Sequence, residues 1–401
     1  MRRVATACAV LGAFALIAAA CGSESSSNPA GGGSNAPSPA AYSSNLQGEG
    51  ELDLIAWQGY TEDDWVKPFE QETGCKVTVK YANTSDDMVN FMRQGGGTLY
   101  DGVSASGDAT NRLIANGDVA PIDVNSFSEY ANVMQTLQSP PHNTVNGVHY
   151  GVPYMWGPNF LMWNTDVVQP APDSWSVTWD PNSPYAGKVT AYDSPIFIAD
   201  AAMYLMATQP DLGITDPYLL TDDQLNAAVS LLKQQSQLVG KYWAYYLDEI
   251  KGFNSGDMVV GTAWPVNYQY IADPALGGGK VKVDWTIPKE GVTGWADTWM
   301  MSSHAPHPNC MLQWMEYSLR PDVQVQVAEF YGATPSNTAS CTQLNKDLGS
   351  AAEAYHCGDD QFLSSVYLWK TPTGQCPDGS TGCTDYNDWT AKWLEIRGGG
   401  G

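Results

Sequence analysis

The sequence predicts an α/β fold that is divided into two lobes. Its 401 residues are long for one domain and suit two lobes of about 100–200 residues each. An apolar content of 43% is sufficient for two hydrophobic cores. Strand patterns are followed repeatedly by amphipathic helix patterns, and this order is typical of a mainly parallel sheet covered by helices.

The N-terminal half shows this order most clearly. Three strands are predicted, at residues 51–57 (ELDLIAW), 75–81 (CKVTVKY) and 99–106 (LYDGVSAS). A helix is expected to begin near Thr61 and to end at Gly74, because glycine commonly stops a helix. A second helix, capped by Ser85, is expected before the third strand.

The alternation continues toward the C-terminus. Further strands are predicted at 188–192 and 259–264, and the extended segments at 147–157 and 159–166 are expected to cross between the lobes. Further helices are predicted at 196–207, at 308–319, after Pro321 and at 385–397. Thr221 and Gln224 form a capping box, which predicts one more amphipathic helix.

The first 21 residues have the pattern of a processing signal. Arg2 and Arg3 precede an apolar run at 5–20, which is short for a membrane span, and small residues then lead directly into Cys21. Such a run resembles a bacterial lipobox, although Ala18 stands where that pattern prefers leucine. The resemblance implies a signal peptide at 1–21 and a mature protein lipid-anchored at Cys21. A secretory signal that merely contains a cysteine is the alternative.

Residues 22–49 are predicted to be a flexible linker, because serine, glycine, proline and alanine dominate them. The folded region is expected to begin near Glu51. The formal net charge of −24 disfavours nucleic acid and anionic lipid as partners. It favours cationic or neutral ligands, or serves solubility alone.

Six cysteines remain once Cys8 and Cys21 are assigned to the signal. An even number in an exported chain indicates disulfides, but six cysteines allow 15 pairings. We favour the two local pairs, which leave one long-range pair: Cys341–Cys357, Cys376–Cys383 and Cys75–Cys310. A zinc site is disfavoured, because no Cys-x-x-Cys pair occurs and only five histidines are present.

Aromatic residues next to acids are the strongest hint of a binding site. The chain has 15 Trp and 21 Tyr, and Trp57 and Trp264 stand where predicted strands end. Ligands of open α/β sheets bind at these carboxyl ends. Trp295 and Asp297 are two apart, so in a strand they share a face, where a ring and a carboxylate suit an ammonium ion. Core packing for each Trp, and a turn or cap for Asp297, are the alternatives.

Catalytic and cofactor motifs are missing from the sequence. It has no G-x-S-x-G elbow, no P-loop and no H-E-x-x-H motif. Acid pairs at 86–87, 222–223 and 359–360 are better explained as helix caps. Tyr245 and Tyr246 could bind iron through phenolates, but core packing is favoured. We therefore expect no enzyme, no cofactor and no metal site.

The segments, taken in order, resemble the bacterial spermidine/putrescine-binding periplasmic protein family. The resemblance runs from about Leu52 to Asn337 and rests on LIAWQGY, ETGCKV, YDGVSAS, GVPYMWG, GWADTW and SLRPDVQVQVAEFYGATPSN. It implies a type II-like periplasmic-binding fold, hinged by crossing strands that close on the ligand. The implied lobes are 50–156 with 297–337, and 157–296 with 338–397.

The same resemblance implies a ligand site, residue by residue. Trp57 and Tyr60 would line the N-terminal lobe's side of the cleft, and Ser106 would bond a ligand amine. Asp193 would pair a terminal ammonium from the other lobe. Trp264 and Trp295 would stack on the aliphatic chain, and Asp297 would pair a central or terminal amine.

Three positions depart from the family pattern. Ile196 replaces a glutamate, Asp108 replaces an aromatic residue, and Ala333 replaces a tyrosine, with Tyr331 close by. The site therefore loses one acid, and Asp108 could supply another. A di- or trication remains suitable, and a monocation would suit the site if Asp108 points away.

The predicted function is the extracytoplasmic solute-binding component of an ABC importer that binds a polyamine. The implied partners are a permease and its ATPase, with the protein a monomer held at the membrane by its lipid anchor. Alternatives are the same role for a quaternary amine, thiamine, ferric iron or a sugar. An exported hydrolase is a more distant alternative.

Overall fold

Two large β-sheets organise the chain. The computed structural model describes residues 38–398, so the predicted signal peptide, Cys21 and residues 22–37 lie outside the described part. The strands are β1 Glu51–Trp57, β2 Lys76–Ala82, β3 Gly102–Ser106, β4 Thr144–Val145, β5 Val148–His149, β6 Val152–Pro158, β7 Phe160–Asn164, β8 Val189–Tyr192, β9 Val239–Trp243, β10 Val260–Ala263, β11 Val283–Thr286, β12 Thr293–Met301, β13 Thr334–Pro335 and β14 Tyr367–Leu368.

Helices follow most of the strands. They are α1 Asp63–Thr73, α2 Ser85–Arg93, α3 Gly107–Asn116, α4 Gln135–Gln138, α5 Ser176–Trp179, α6 Ile198–Thr208, α7 Asp222–Gln235, α8 Tyr246–Ser255, α9 Pro265–Ala272, α10 Pro308–Ser318, α11 Pro321–Tyr331, α12 Cys341–Leu348, α13 Asp360–Ser365 and α14 Tyr386–Gly398. Within residues 38–398, no helix has the length and apolar character needed to cross a membrane.

The first sheet has the strand order β13-β6-β12-β3-β1-β2, with β14 beside β12. Strand β1 runs parallel to β2 and β3, whereas β12 runs antiparallel to β3 and β6. The second sheet has the order β11-β7-β10-β8-β9, in which β7 is antiparallel to its neighbours. The expectation of a mainly parallel sheet was therefore wrong, because strands that cross between sheets enter them in the opposite direction.

The chain passes from the first sheet to the second at Asn159, between β6 and β7, and returns between β11 and β12. Hydrogen bonds tie these two passages together. The Asn159 side-chain amide donates to Thr293 Oγ1 over 2.7 Å, and the Thr293 hydroxyl donates to Asp200 over 2.9 Å. The expected lobe boundaries, at 156/157 and 296/297, stay a prediction.

Helix ends follow the local sequence closely. Gly74 ends α1 with a φ of 76°, and Thr221 and Gln224 form the predicted capping box of α7. Two predicted starts were displaced. Helix α1 begins at Asp63 rather than near Thr61, and the residue that caps α2 is Thr84, whose hydroxyl accepts from the backbone N–H of Asp87.

Residues 38–49 pack against the first sheet's lobe, so the prediction of a flexible linker was wrong for this part. The backbone N–H of Ala40 donates to Pro121 over 2.8 Å, and the Tyr42 ring stacks on Phe127. The Glu49 carboxylate accepts from the backbone N–H groups at the start of α10. The two apolar side chains Tyr42 and Leu46, buried in part, supply the contact that the small residues around them lack.

All six remaining cysteines form disulfides, in the pairing that the sequence analysis favoured. Cys75–Cys310 joins residues 235 apart, Cys341–Cys357 closes a separation of 16, and Cys376–Cys383 closes one of 7. The long-range bond connects the start of β2 to α10 in the core of the first lobe, where both cysteines are fully buried.

The C-terminal segment runs along both sheets. Strand β14 pairs with β12, and the backbone N–H of Trp369 donates to Gly294 over 2.7 Å. The Thr371 hydroxyl then donates to the carbonyl of Asp108 over 2.8 Å. Helix α14 ends the described chain by packing on α7 beside the second sheet. The segment therefore places side chains from the end of the sequence beside the interlobe region.

We predict that the long-range disulfide stabilises the fold most. Closing a loop of this length removes about 5 kcal/mol of unfolded-state entropy, against about 2 kcal/mol for the shortest loop. Replacing Cys75 and Cys310 with alanine should therefore lower the thermal midpoint clearly more than replacing Cys376 and Cys383. Equal losses, measured by calorimetry on both double variants, would contradict this ranking.

Candidate functional site

The carboxyl ends of the central strands of both sheets meet in one cleft. Strand β1 ends at Trp57 and β3 at Ser106 in the first sheet, and β8 ends at Tyr192 in the second. Trp264 follows β10 directly and is the residue before α9. Parallel strands place their carboxyl ends at one edge of a sheet, which explains why these side chains converge.

Asp297 lies at the centre of this cleft. It stands in β12 directly opposite Ser106, where the register between β12 and β6 shifts. Its side chain is 2% exposed. Tyr60 donates its hydroxyl to Oδ2 over 2.6 Å, and Ser106 donates to Oδ1. A local irregularity of this kind re-aims side chains in a sheet, which fits the position of Asp297.

The Asp297 carboxylate has no cationic partner among the described residues. Its two oxygens accept hydrogen bonds from the neutral hydroxyls of Tyr60 and Ser106. Burial raises the pKa of Asp297 to about 7, although the hydrogen bonds from Ser106 and Tyr60 act in the opposite direction. A cation bound beside this carboxylate would supply the positive charge that no described side chain provides.

Aromatic rings from both sheets surround the space beside Asp297. We name the following residues, all at least 94% buried, the aromatic cluster: Trp57, Tyr192, Trp243, Trp264, Trp295 and Trp369. Trp264 is at its centre, with ring centroids 6.4 Å from Trp57 and 6.5 Å from Trp295. Trp57 comes from the first sheet and Trp264 follows the second, so the cluster joins the two lobes.

Gly157 makes room for one ring of this cluster. A Cβ atom at this position would lie 2.6 Å from the Trp295 indole, well inside contact distance. Trp295 and Gly157 are register partners on β12 and β6. The glycine therefore lets the indole lie against the neighbouring backbone.

Asp108 and Asp193 have different surroundings. Asp108 is fully buried at the start of α3, with Oδ1 accepting from the Ser85 hydroxyl over 2.7 Å and Oδ2 without a hydrogen-bond partner. Burial raises the pKa of Asp108 to about 6. Asp193 is instead bound by the chain itself, to the indole of Trp393 at 3.1 Å and to Arg397 at 3.0 Å.

The other departures from the family pattern are also buried. Ile196 is fully buried in the short 3-10 helix Pro195–Phe197. Ala333 is fully buried after α11, and the neighbouring Tyr331 packs edge-on against Tyr60 with ring centroids 5.0 Å apart. Tyr331 therefore supports the residue that hydrogen-bonds Asp297.

The lobes contact each other closely in this structure. Tyr245, from the second lobe, donates its hydroxyl to the Gln58 side chain over 2.6 Å. A cavity of only about 10 Å³ remains at this mouth of the cleft, lined by Trp57, Gln58, Ala82, Asn83, Ala244, Tyr245, Tyr246, Trp264 and Tyr331. The rings fill the space, so a ligand can enter only if the lobes separate or side chains move.

Three residues of the aromatic cluster were not among the predicted site residues. Tyr192 stands at the end of β8, so the strand-end argument that identified Trp57 could have found it. Trp243 ends β9 in the same way. Trp369, which stacks on Tyr192 with ring centroids 5.7 Å apart, comes from the C-terminal segment, where no sequence pattern marked it.

Two other groups contain side chains of the types that bind metal ions. Asp53, Asp101 and His307 hold their ligand atoms within 4.8 Å of one another. They lie toward the amino ends of β1 and β3, away from the cleft, and Asp101 already accepts from the backbone N–H groups of Asp53 and His307. Burial raises the pKa of Tyr246, which disfavours the phenolate that iron would need.

The chain matches known proteins over most of its length. Residues 64–352 match the family described as bacterial extracellular solute-binding protein. The spermidine/putrescine-binding periplasmic protein of Escherichia coli K12 is 25% identical over 301 residues, covering 75% of this chain and 81% of that protein. The putrescine/cadaverine-binding protein of Pseudomonas aeruginosa is 23% identical over 321 residues, covering 76% and 84%.

A solved structure has the same fold. The spermidine/putrescine ABC transporter substrate-binding protein of Streptococcus pneumoniae superposes with a TM-score of 0.67 at 17% identity, covering 87% of this chain and 98% of that one. The predicted two-lobed periplasmic-binding fold and the resemblance drawn from the ordered segments are thereby confirmed.

We predict that Asp297 makes the ligand-free protein less stable at alkaline pH. Because burial raises its pKa to about 7 from 3.8, its contribution is complete below pH 4 and is lost as the pH rises through 7. At pH 8, Asp297→Asn should therefore have a free energy of unfolding at least ~1 kcal/mol higher than that of the wild type, and a higher thermal midpoint. The two proteins should unfold alike at pH 4.

Melting curves of both proteins between pH 4 and 8.5, without ligand, check this expectation. Asp193→Asn is the matched control, because Asp193 already has Arg397 as its partner. This control should be destabilised slightly at pH 8. An Asp297→Asn variant less stable than the wild type at pH 8 would contradict the prediction.

Proposed function

The chain belongs to the bacterial extracellular solute-binding protein family, and we propose that it binds a polyamine in its interlobe cleft for an ABC importer. Members of this family are extracytoplasmic substrate-binding proteins of transport systems. The residues that we propose to contact the ligand include six predicted from the sequence: Trp57, Tyr60, Ser106, Trp264, Trp295 and Asp297. Three further residues come from the aromatic cluster: Tyr192, Trp243 and Trp369.

The buried and uncompensated carboxylate of Asp297 carries the proposal. Removing a carboxylate from water is costly unless a cation and hydrogen bonds compensate it, and here the chain supplies only the hydrogen bonds. A ligand ammonium ion would complete the site. The faces of the surrounding rings would each add roughly 0.5–2 kcal/mol of cation–π attraction.

The names of the relatives agree with this chemistry. They are named for binding spermidine, putrescine, cadaverine or agmatine, all of which carry at least two basic groups on an aliphatic chain. The methylene groups of such a chain match the apolar faces of Trp264 and Trp295. Fold alone does not determine a ligand, but the positions of the rings and of Asp297 favour an amine.

Ligand capture follows from how the two lobes share the site. Asp297, Tyr60 and Trp57 belong to the first sheet or to the turn after β1, whereas Trp264 and Tyr192 belong to the second. A ligand bound between them contacts both lobes only when they are closed. It therefore shifts the open–closed equilibrium by its differential affinity for the closed state.

We also propose where the protein acts and with which partners. The protein is exported through the signal at 1–21 and anchored by a lipid on Cys21. It acts as a monomer, carries no cofactor and catalyses no reaction. The closed protein delivers its ligand to a permease that an ATPase drives.

A quaternary ammonium compound is the second candidate ligand. Asp193, which the family resemblance assigns to a second ammonium, is bound to Arg397 in this chain. If Asp297 is the single acid that meets the ligand, a monocation enclosed by aromatic rings fits the cleft equally well.

We predict that di- and polyamines stabilise the signal-free protein, beginning at residue 22, in a thermal-shift panel. A ligand at 100 times its dissociation constant adds about 2.7 kcal/mol, which is enough for a shift of a few degrees. The panel contains putrescine, cadaverine, spermidine, spermine, choline, betaine, thiamine, ferric citrate and common sugars. Shifts from choline or betaine alone would favour the quaternary ammonium candidate.

The variant Asp297→Asn identifies the site of any such shift. It leaves an ammonium buried without its counter-charge, so amine affinity should fall at least about tenfold. The opposite result is a wild type that is stabilised by a sugar, thiamine or ferric citrate and by no amine in the panel. That result would contradict the polyamine proposal and leave the transport role unchanged.

A further inference from the structure

The chain's own C-terminal helix occupies Asp193. Arg397 Nε lies 3.0 Å from one carboxylate oxygen, and its terminal nitrogen donates to the other over 3.3 Å. The indole of Trp393 donates to the same carboxylate over 3.1 Å. The guanidinium group also lies over the Tyr242 ring, 3.9 Å from its centroid. Asp193 thus has its full complement of partners before any ligand arrives.

Asp108 has the opposite environment. It is fully buried, and one carboxylate oxygen has no hydrogen-bond partner among the described residues. Arg112, four residues further along α3, pairs with Asp86 at 2.6 Å and lies over the Tyr386 ring. Burial still raises the pKa of Asp108, although the charge of Arg112 acts in the opposite direction. A buried carboxylate with an unused oxygen is costly unless something outside the chain binds it.

Asp108 is also close to Asp297. Ser106 and Asp297 are register partners on adjacent strands, and Asp108 follows Ser106 by two residues, so the two carboxylates are on the order of 10 Å apart or less. Burial is the main cause of the raised pKa of Asp297 and of Tyr192, and the charge of Asp108 adds to both. These effects agree with a short separation between the two carboxylates.

A wall of the cluster closes over this position. The Trp369 ring stacks on Tyr192, and its carbonyl lies so close to Gly107 that a Cβ there would be 1.8 Å away. The Thr371 hydroxyl holds the Asp108 backbone carbonyl. The C-terminal segment therefore supplies two features of the cleft. Arg397 pairs with Asp193, and Trp369 forms an aromatic wall beside Asp108.

We propose that Asp108 replaces Asp193 as the second ammonium-binding acid, so that a diamine lies between Asp297 and Asp108. This inference rests on the proposed function and specifies its ligand. Both acids belong to the first lobe and are close together, so short α,ω-diamines fit better than longer polyamines. The aliphatic part would pass the rings of Tyr192 and Trp369.

Titration calorimetry with 1,4-diaminobutane and with butylamine tests the assignment. Asp108→Asn should weaken the diamine at least about tenfold and butylamine less than about threefold, because butylamine needs Asp297 alone. Asp193→Asn, the matched control, should leave both affinities within about threefold. Spermidine should bind the wild type more weakly than 1,4-diaminobutane.

Arg397→Gln tests the same assignment without altering Asp108. Arg397 lies at the surface, so this replacement should leave the fold intact. It frees Asp193, and diamine affinity should stay within about threefold of wild type. A clear gain, or a diamine loss confined to Asp193→Asn, would overturn the assignment while leaving polyamine binding intact. Equal losses of both amines in a folded Asp108→Asn variant would also overturn it. A wild type that binds no amine would contradict this inference and the proposed function together.

Discussion

The uncompensated charge of Asp297 is the constraint on which the cleft depends. Its two hydrogen bonds hold the carboxylate in place without neutralising it, and burial raises its pKa to about 7. A closed cleft without a cation is therefore electrostatically incomplete. A ligand ammonium bound at Asp297 would therefore also stabilise the closed state.

The two-lobed fold converts this local constraint into a device for capture. The strands that carry Asp297 and Gly157 also form the crossings between the sheets, where Asn159 and Thr293 bond to each other. Rings from both lobes meet at Trp264, so closing the cleft would also bury a ligand that lies beside these rings. The charge and the rings act together because burial strengthens electrostatic attraction.

Local patterns in the sequence predicted strands β1, β2, β3, β8 and β10, the capping box of α7 and the strand-end position of Trp57 and Trp264, because those features depend on neighbouring residues. They could not predict contacts made over long separations. The bond from Arg397 to Asp193 joins residues 204 apart, and Trp369 enters the cleft from a segment without a distinctive pattern. The family resemblance, which assigned Asp193 to the ligand, weakens before α14 and therefore gave no indication of Arg397 beside it.

Proton release on ligand binding tests the role of Asp297 most directly. A bound ammonium favours the ionised carboxylate, so a diamine should displace roughly one proton or more per ligand at pH 6 and almost none at pH 8. Calorimetry in buffers of different ionisation enthalpy measures this number, and Asp297→Asn should lower it by most of one proton at pH 6. Binding without proton release at pH 6 in the wild type would contradict the placement of the ammonium at Asp297.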